Sequence, residues 1–189
     1  MPMPTATPSS SIPRLRMCFR AAIALAIAGF ALTPAQAGAS GGITAGGGGS
    51  GPAGKARIVA GGEATAPAGA PKRVKEVIAA ANKIEDKPYR YGGGHGSFRD
   101  TAYDCSGAVS FALHGGDLLA SPLDSVGLGH FGERGKGHWI TIYANRDHAY
   151  MVVAGLRFDT AMTPGDGPGW SKSLRSINGR FRVRHPAGL

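Results

Sequence analysis

The residues Asp104-Cys105-Ser106-Gly107 place a thiol where a glycine-rich stretch gives way to a helix-forming one. A cysteine in the first turn of a helix meets the positive end of the helix dipole and backbone amides that lack intrahelical partners. Both favour thiolate over thiol, and the thiolate is the form that attacks a carbonyl carbon. The same amides can hold the oxyanion that such an attack creates. Gly107 is expected to leave the start of the helix open to a closely approaching substrate. The competing reading of Cys105 is a buried packing residue, and the local residues alone do not separate the two.

Thiol chemistry of this kind requires a histidine that pairs with the sulfur and then protonates the departing group. The chain has six. His114 closes the helix that begins near Cys105, roughly 13 Å along its axis at 1.5 Å per residue, too far for contact. His95, His130 and His138 lie in glycine-rich loops, and His185 stands beside Pro186 near the C-terminus. His148 opens a strand, which would hold its ring firmly, and is the expected base. If Ala154-Gly155 is a two-residue hairpin loop, Val153 faces Leu156, and His148 and Asp159 project from one face as diagonal neighbours. Asp159 is then the expected third member, orienting the ring. The alternative for Asp159 is a surface carboxylate paired with Arg157 or another cation.

These residues need a frame. Val74, Val77, Ile78, Ala81 and Ile84 follow helical spacing, which predicts a helix over 72–85 that Pro88 ends. A glycine-rich turn region, 89–96, leads to a second helix over 106–114, stopped by Gly115-Gly116. Residues 117–137 read as loop, long enough to form a lid. Strands are predicted over 139–144, 148–153, 156–160 and 181–185. Helices followed by an antiparallel meander indicate an α+β domain. Trp139 and Trp170 suit either core packing or a sugar-binding groove, with packing the simpler reading. The basic cluster Arg175, Arg180, Arg182 and Arg184 suits contact with anionic material, although alternation of Arg182 and Arg184 suggests more simply the wet face of a strand.

The N-terminus predicts export. Arg14, Arg16 and Arg20 precede an apolar run from Ala21 to Leu32, and Ala35-Gln36-Ala37 suits a signal peptidase, so residues 1–37 read as a signal peptide. The run is about 12 residues, short of the roughly 20 that span a bilayer. No membrane span is expected in the mature chain. Cleavage would remove Cys18 and leave Cys105 without a disulfide partner. Much of the high glycine content, 31 residues, falls in 38–70, which reads as a flexible linker ahead of a domain over 71–189. The formal charge is +9, and loss of the three signal arginines leaves +6. That charge suits an anionic surrounding such as a cell-wall polymer. Nucleic acid is not an expected partner, because no recognition motif is present and export separates the chain from it. No Cys-x-x-Cys or His-Glu-x-x-His spacing occurs, so Cys105, His95 and Asp104 are not read as a metal site, and no metal or cofactor is expected.

Tyr89-Arg90-Tyr91-Gly92-Gly93, then Asp104-Cys105-Ser106-Gly107, then a strand led by His148 together resemble the NlpC family of papain-like bacterial cell-wall cysteine peptidases, over roughly residues 71–189. The resemblance implies a papain-like α+β fold and a monomer that hydrolyses amide bonds in peptidoglycan stem peptides. It implies Cys105 as nucleophile, His148 as base and Asp159 at the polar third position. Tyr89 matches a tyrosine near the substrate, where its hydroxyl would aid the oxyanion. Asp104 and Ser106 match positions that bind a free amino group of the stem peptide, while helix capping is the competing role for Asp104. The chain departs from the family pattern in three places. Gly137-His138-Trp139-Ile140 replaces the usual Pro-Gly-Asp segment, aspartate replaces the frequent histidine at the third position, and Ala149-Tyr150-Met151 follows the base instead of a small pair. Alternatives kept open are a papain-like amidase or acyl transferase on another acyl donor, and a non-catalytic cell-wall-binding module.

Overall fold

The apolar stripe predicted for the first helix forms α1, Lys72–Asn82, with Val74, Val77, Ile78 and Ala81 buried along one side. Each of the valine and isoleucine side chains contributes roughly 1.5–3 kcal/mol by leaving water. The helix ends three residues before the predicted boundary because its last turn tightens: the amides of Lys83 and Ile84 donate to the carbonyls of Ala80 and Ala81, three residues back. The coordinates are a computed structural model that describes residues 54–162, 167–177 and 180–189. The expected signal peptide, 1–37, and the expected linker up to residue 53 lie outside the described residues.

Helix α2, Cys105–Gly115, is buried around most of its circumference, because it lies between α1 and the sheet. Small residues make that possible. A Cβ on Gly115 would run into Ala80, and one on Gly116 would meet Val77 at 2.6 Å. A short third helix, α3, spans Ser125–Leu128.

Two short strands, β1 (Arg57–Ile58) and β2 (Ala64–Thr65), pair with each other. The remaining strands are β3 (Glu133–Arg134), β4 (Ile140–Ala144), β5 (Ala149–Val153), β6 (Leu156–Asp159), β7 (Gly169–Ser171) and β8 (Arg182–His185). They form one antiparallel sheet in the order β3-β8-β4-β5-β6-β7. The meander therefore runs from β4 to β7, and β8 returns to the far side of β4 instead of extending it. Among the described residues the fold is α+β, with three helices, the β1–β2 pair and a six-stranded sheet. Ile140, Ile142, Met151, Val153, Leu156 and Phe158 join the helices in one core. No described helix is long and apolar enough to cross a membrane.

The β5–β6 turn is the two-residue loop expected. Ala154 and Gly155 both have positive φ, 46° and 87°, and Val153 pairs with Leu156. That handedness matches the strand twist.

Two expectations need correction. Residues 54–70 were expected to be linker, yet β1 and β2 form a hairpin that docks on the domain. Ala56 N–H donates to the Ala154 carbonyl at 2.9 Å, and the Asn82 side chain both donates to and accepts from the Ala64 backbone, at 2.9 and 3.0 Å. Two-residue strands in a glycine-rich background have too little alternation to register as strands. Residues 117–137 contain α3 and β3 and are tied down. Ser110 bonds the Leu123 backbone, Ser125 Oγ donates to the Arg146 carbonyl at 3.2 Å, and Arg184 Nε donates to the Gly129 carbonyl at 2.9 Å.

Candidate active site

The site is assembled where the N-terminus of α2 meets the start of β5. Asp104 caps the helix. Its backbone is extended, and Oδ1 accepts from the Gly107 amide at 2.8 Å, satisfying one of the unpaired donors of the first turn. Cys105 follows as the first helical residue and is half-buried, with its sulfur at the positive end of the dipole.

Across from it, His148 is positioned by the turn between β4 and β5. The His148 amide donates to Asn145 Oδ1 and its carbonyl accepts from the Asn145 amide, each at 2.9 Å. The ring Nε2 meets Asp159 Oδ1 at 2.8 Å, and the ring lies 6.1 Å from that of Tyr150 in a stacked arrangement. The hairpin register brings the imidazole and the carboxylate to one face, as the spacing predicts. Cys105 is close enough to the ring to act on its protonation. Burial alone would push the His148 pKa down. The hydrogen bonds to Asp159 and Cys105 and the charges of both outweigh it and lift the pKa from 6.5 to about 9. The ring is thus held as a cation at neutral pH.

Asp159 is almost fully buried, with 2% of its surface exposed. Burial by itself would raise its pKa, but the His148 hydrogen bond and charge, the Ala161 amide and the Arg175 charge hold it below the ordinary value. Its second oxygen accepts from Arg175 Nη1 at 3.2 Å, and Arg157 Nε stands 3.6 Å away without making a hydrogen bond. Arg157 thus pairs with Asp159 as the alternative reading had it, but so does His148. Arg175 also lies over the Tyr150 ring, 5.6 Å from its centroid. This arginine had been grouped only with the basic cluster; its place beside Asp159 comes from the segment between β7 and β8.

Tyr89 is partly exposed and forms a bridge with Tyr103, next to the cap. Burial first, then the electrostatic influence of Cys105 and Asp104, raise its pKa, so its hydroxyl stays protonated. Asp104 and Ser106 are buried and already engaged. Asp104 accepts from Gly107 N and Ser106 Oγ, and from Gly92 N through Oδ2, and its Oδ1 lies 3.0 Å from His95 Nε2. The same His95 nitrogen lies 3.0 Å from Ser106 Oγ. The capping role of Asp104 is therefore present, and His95 lies against both side chains. Sequence reasoning weighed His95 with Cys105 and Asp104 only as a metal set and gave it no other role; it lies in a loop without periodicity, so its contact with Asp104 and Ser106 was not expected.

The expectation for Gly107 also changes. Its missing side chain makes room for the protein's own loop and not for a ligand: a Cβ there would collide with the Gly93 carbonyl. The loop is drawn in by the Asp104 amide, which donates to that same carbonyl at 3.1 Å. Gly94 adopts a positive φ of 82° as it passes Tyr103. Trp170 is a packing residue, buried against Phe158 and donating from Nε1 to Asn82 Oδ1 at 2.8 Å.

No protein-family model matches the chain, and no curated protein does. Solved structures do. The P60 domain of an antigen from M. avium subspecies paratuberculosis superposes with a TM-score of 0.47 and 17% identity, covering 60% of this chain and 94% of that one. RipB, a peptidoglycan hydrolase of Mycobacterium tuberculosis, gives 0.47 and 20%, covering 64% and 72%. RipD of the same organism, a non-catalytic NlpC/p60 domain protein adapted to peptidoglycan binding, gives 0.45 and 19%, covering 61% and 98%. The chain is similar in structure to these P60 and NlpC/p60 domain proteins.

Proposed function

We propose that this chain is an exported cysteine endopeptidase that hydrolyses amide bonds in peptidoglycan stem peptides. The observation that carries the reading is the 2.8 Å contact of the His148 ring with the buried Asp159 carboxylate, beside a half-buried Cys105 at the start of α2. The substrate class is supported by the motif resemblance of Tyr89-Arg90-Tyr91-Gly92-Gly93 and Asp104-Cys105-Ser106-Gly107, and the location by the N-terminal signal pattern.

In this reading the Cys105 thiolate attacks the stem-peptide carbonyl carbon, forming a carbon–sulfur bond and an oxyanion. The backbone amide at the start of α2 and the Tyr89 hydroxyl stabilise that charge. The carbon–nitrogen bond then breaks as the His148 imidazolium gives its proton to the departing amine. Water enters, loses a proton to the now neutral His148, and attacks the thioester. The carbon–sulfur bond breaks, the acid product leaves and the thiolate–imidazolium pair is restored. Asp159 keeps the ring oriented throughout. No step calls for a metal or cofactor.

The test is digestion of purified peptidoglycan with the chain and with Cys105→Ala, with released fragments identified by mass. Stem-peptide fragments from the native chain and none from Cys105→Ala are expected. Equal release by both would end the thiol mechanism. Binding to peptidoglycan without any release would leave a wall-binding module as the function.

A further inference from the structure

On the far side of the sheet order from Asp159, the edge formed by β8 and β3 carries a concentration of cations without matching acids. A groove of about 510 Å³ is lined by His130, Arg134, Arg182, Val183 and Arg184. A smaller cavity of about 80 Å³ shares His130 and Arg182 and adds Arg146, from the turn between β4 and β5. Among the described residues, no aspartate or glutamate lines either one.

The backbone register makes this arrangement costly for the protein alone. Arg134 and Arg184 are directly paired across β3 and β8, and like charges facing one another across a sheet are destabilising. Arg182 is pressed against the His130 ring. The one carboxylate on these strands, Glu133, is taken by His185 at 3.2 Å. None of Arg134, Arg146, Arg182 and Arg184 forms a salt bridge with a described carboxylate. Arg184 uses Nε on the Gly129 carbonyl at 2.9 Å, which fixes the guanidinium at the groove wall.

We propose that this groove is a binding site for an anionic polymer bearing repeated phosphate or carboxylate groups. Guanidinium groups match the geometry of either oxyanion through paired N–H donors. Arg182 and Arg184 are two residues apart on one strand, hence roughly 7 Å apart along it. A chain with charges at successive units can engage both at once, and it would relieve the opposition of Arg134 and Arg184 at the same time. The site contains none of Cys105, His148 and Asp159, so it stands whether or not the chain cuts peptides. Its role is to hold the protein on an acidic matrix.

The experiment measures binding of the full chain to polyphosphate and to poly-L-glutamate at low and moderate salt. Arg182→Gln with Arg184→Gln is expected to weaken binding about tenfold, a few-fold for each partly exposed contact. Arg134→Gln, on an exposed two-residue strand where folding is not at stake, is expected to weaken it about threefold. Arg73→Gln with Lys83→Gln, on α1 and its C-cap, removes the same formal charge as the first pair and is expected to change binding less than about twofold. The affinity of the native chain should fall with salt more steeply than that of the groove variants. Tighter binding of one polymer than the other identifies which oxyanion the groove takes. The proposal is overturned if neither polymer binds, if the α1 pair weakens binding as much as the groove pair, or if duplex DNA is bound more tightly than both polymers through the same arginines.

Discussion

Replacing Asp159 by asparagine keeps the shape of the side chain and removes its charge, so it isolates the electrostatic part of the His148–Asp159 contact. In the folded chain the Asp159 contact and the neighbouring Cys105 push the His148 pKa up from an ordinary 6.5 to about 9, against the opposing effect of burial. At about 1.4 kcal/mol per pH unit, that rise corresponds to at most about 3.5 kcal/mol. Part of it comes from Cys105, and 18% of the His148 side chain remains exposed to solvent, so the share lost with the carboxylate is about 2 kcal/mol. Because the folded pKa of His148 lies above the unfolded one, its contribution is complete below about pH 6.5 and disappears as pH climbs through 9. Asp159 acts in the opposite sense: its folded pKa is depressed, so its contribution is present above the ordinary 3.8 and is lost as pH falls through the lower folded value. The native chain should therefore exceed Asp159→Asn in unfolding free energy most clearly between about pH 4 and 6.5, and the gap should narrow toward pH 9.5. The assay is urea unfolding across that range, combined with NMR titration of the His148 ring. In the variant the ring midpoint should fall by more than about one pH unit, because burial then outweighs the remaining attractions. A native ring titrating near 6.5, or a midpoint unmoved by the substitution, would refute the account.

Other consequences are equally direct. Gly107→Ala forces a methyl group into the Gly93 carbonyl and should cost about 3 kcal/mol of stability in urea unfolding, with Cys105 alkylation altered because the cap loop must shift. Phe158→Ala empties a fully buried site beside Trp170 and should lower stability by about 3–5 kcal/mol, seen as a fall in the thermal midpoint. His95→Ala removes the ring that lies against Asp104 and Ser106. If those groups receive a substrate amine, cleavage of peptides with a free amino terminus should improve relative to acetylated ones, while an unchanged ratio would assign Asp104 to capping alone.

The parts of the site that the sequence makes legible are those governed by strict periods. The β5–β6 register follows from a two-residue turn, and alternation then carries His148 and Asp159 to one face, 2.8 Å apart at Nε2 and Oδ1. The start of α2 follows from Asp104, a good cap, ahead of an uninterrupted run of helix-compatible residues. What stays hidden depends on contacts between segments that have no period. His95 reaches Asp104 through a loop of glycines, and Arg175 reaches Asp159 from an irregular stretch. Strands β1, β3 and β7 are two or three residues long, too short for alternation to be read. The place of β8 beside β4 is likewise invisible locally, since its sequence fits either edge of the sheet.

The N-terminal hairpin has a consequence for where the folding unit starts. A chain trimmed to Pro71, where the first helical pattern begins, would strip Asn82 of both bonds to Ala64 and leave its amide holding only the Trp170 indole. It would also uncap the carbonyl of Ala154, which sits in a left-handed conformation that a non-glycine residue does not favour. That residue belongs to the turn that fixes how far the imidazole stands from its carboxylate. Seventeen amino acids with no chemistry of their own, Gly54 to Ala70, thus act as a brace on the spacing within the relay.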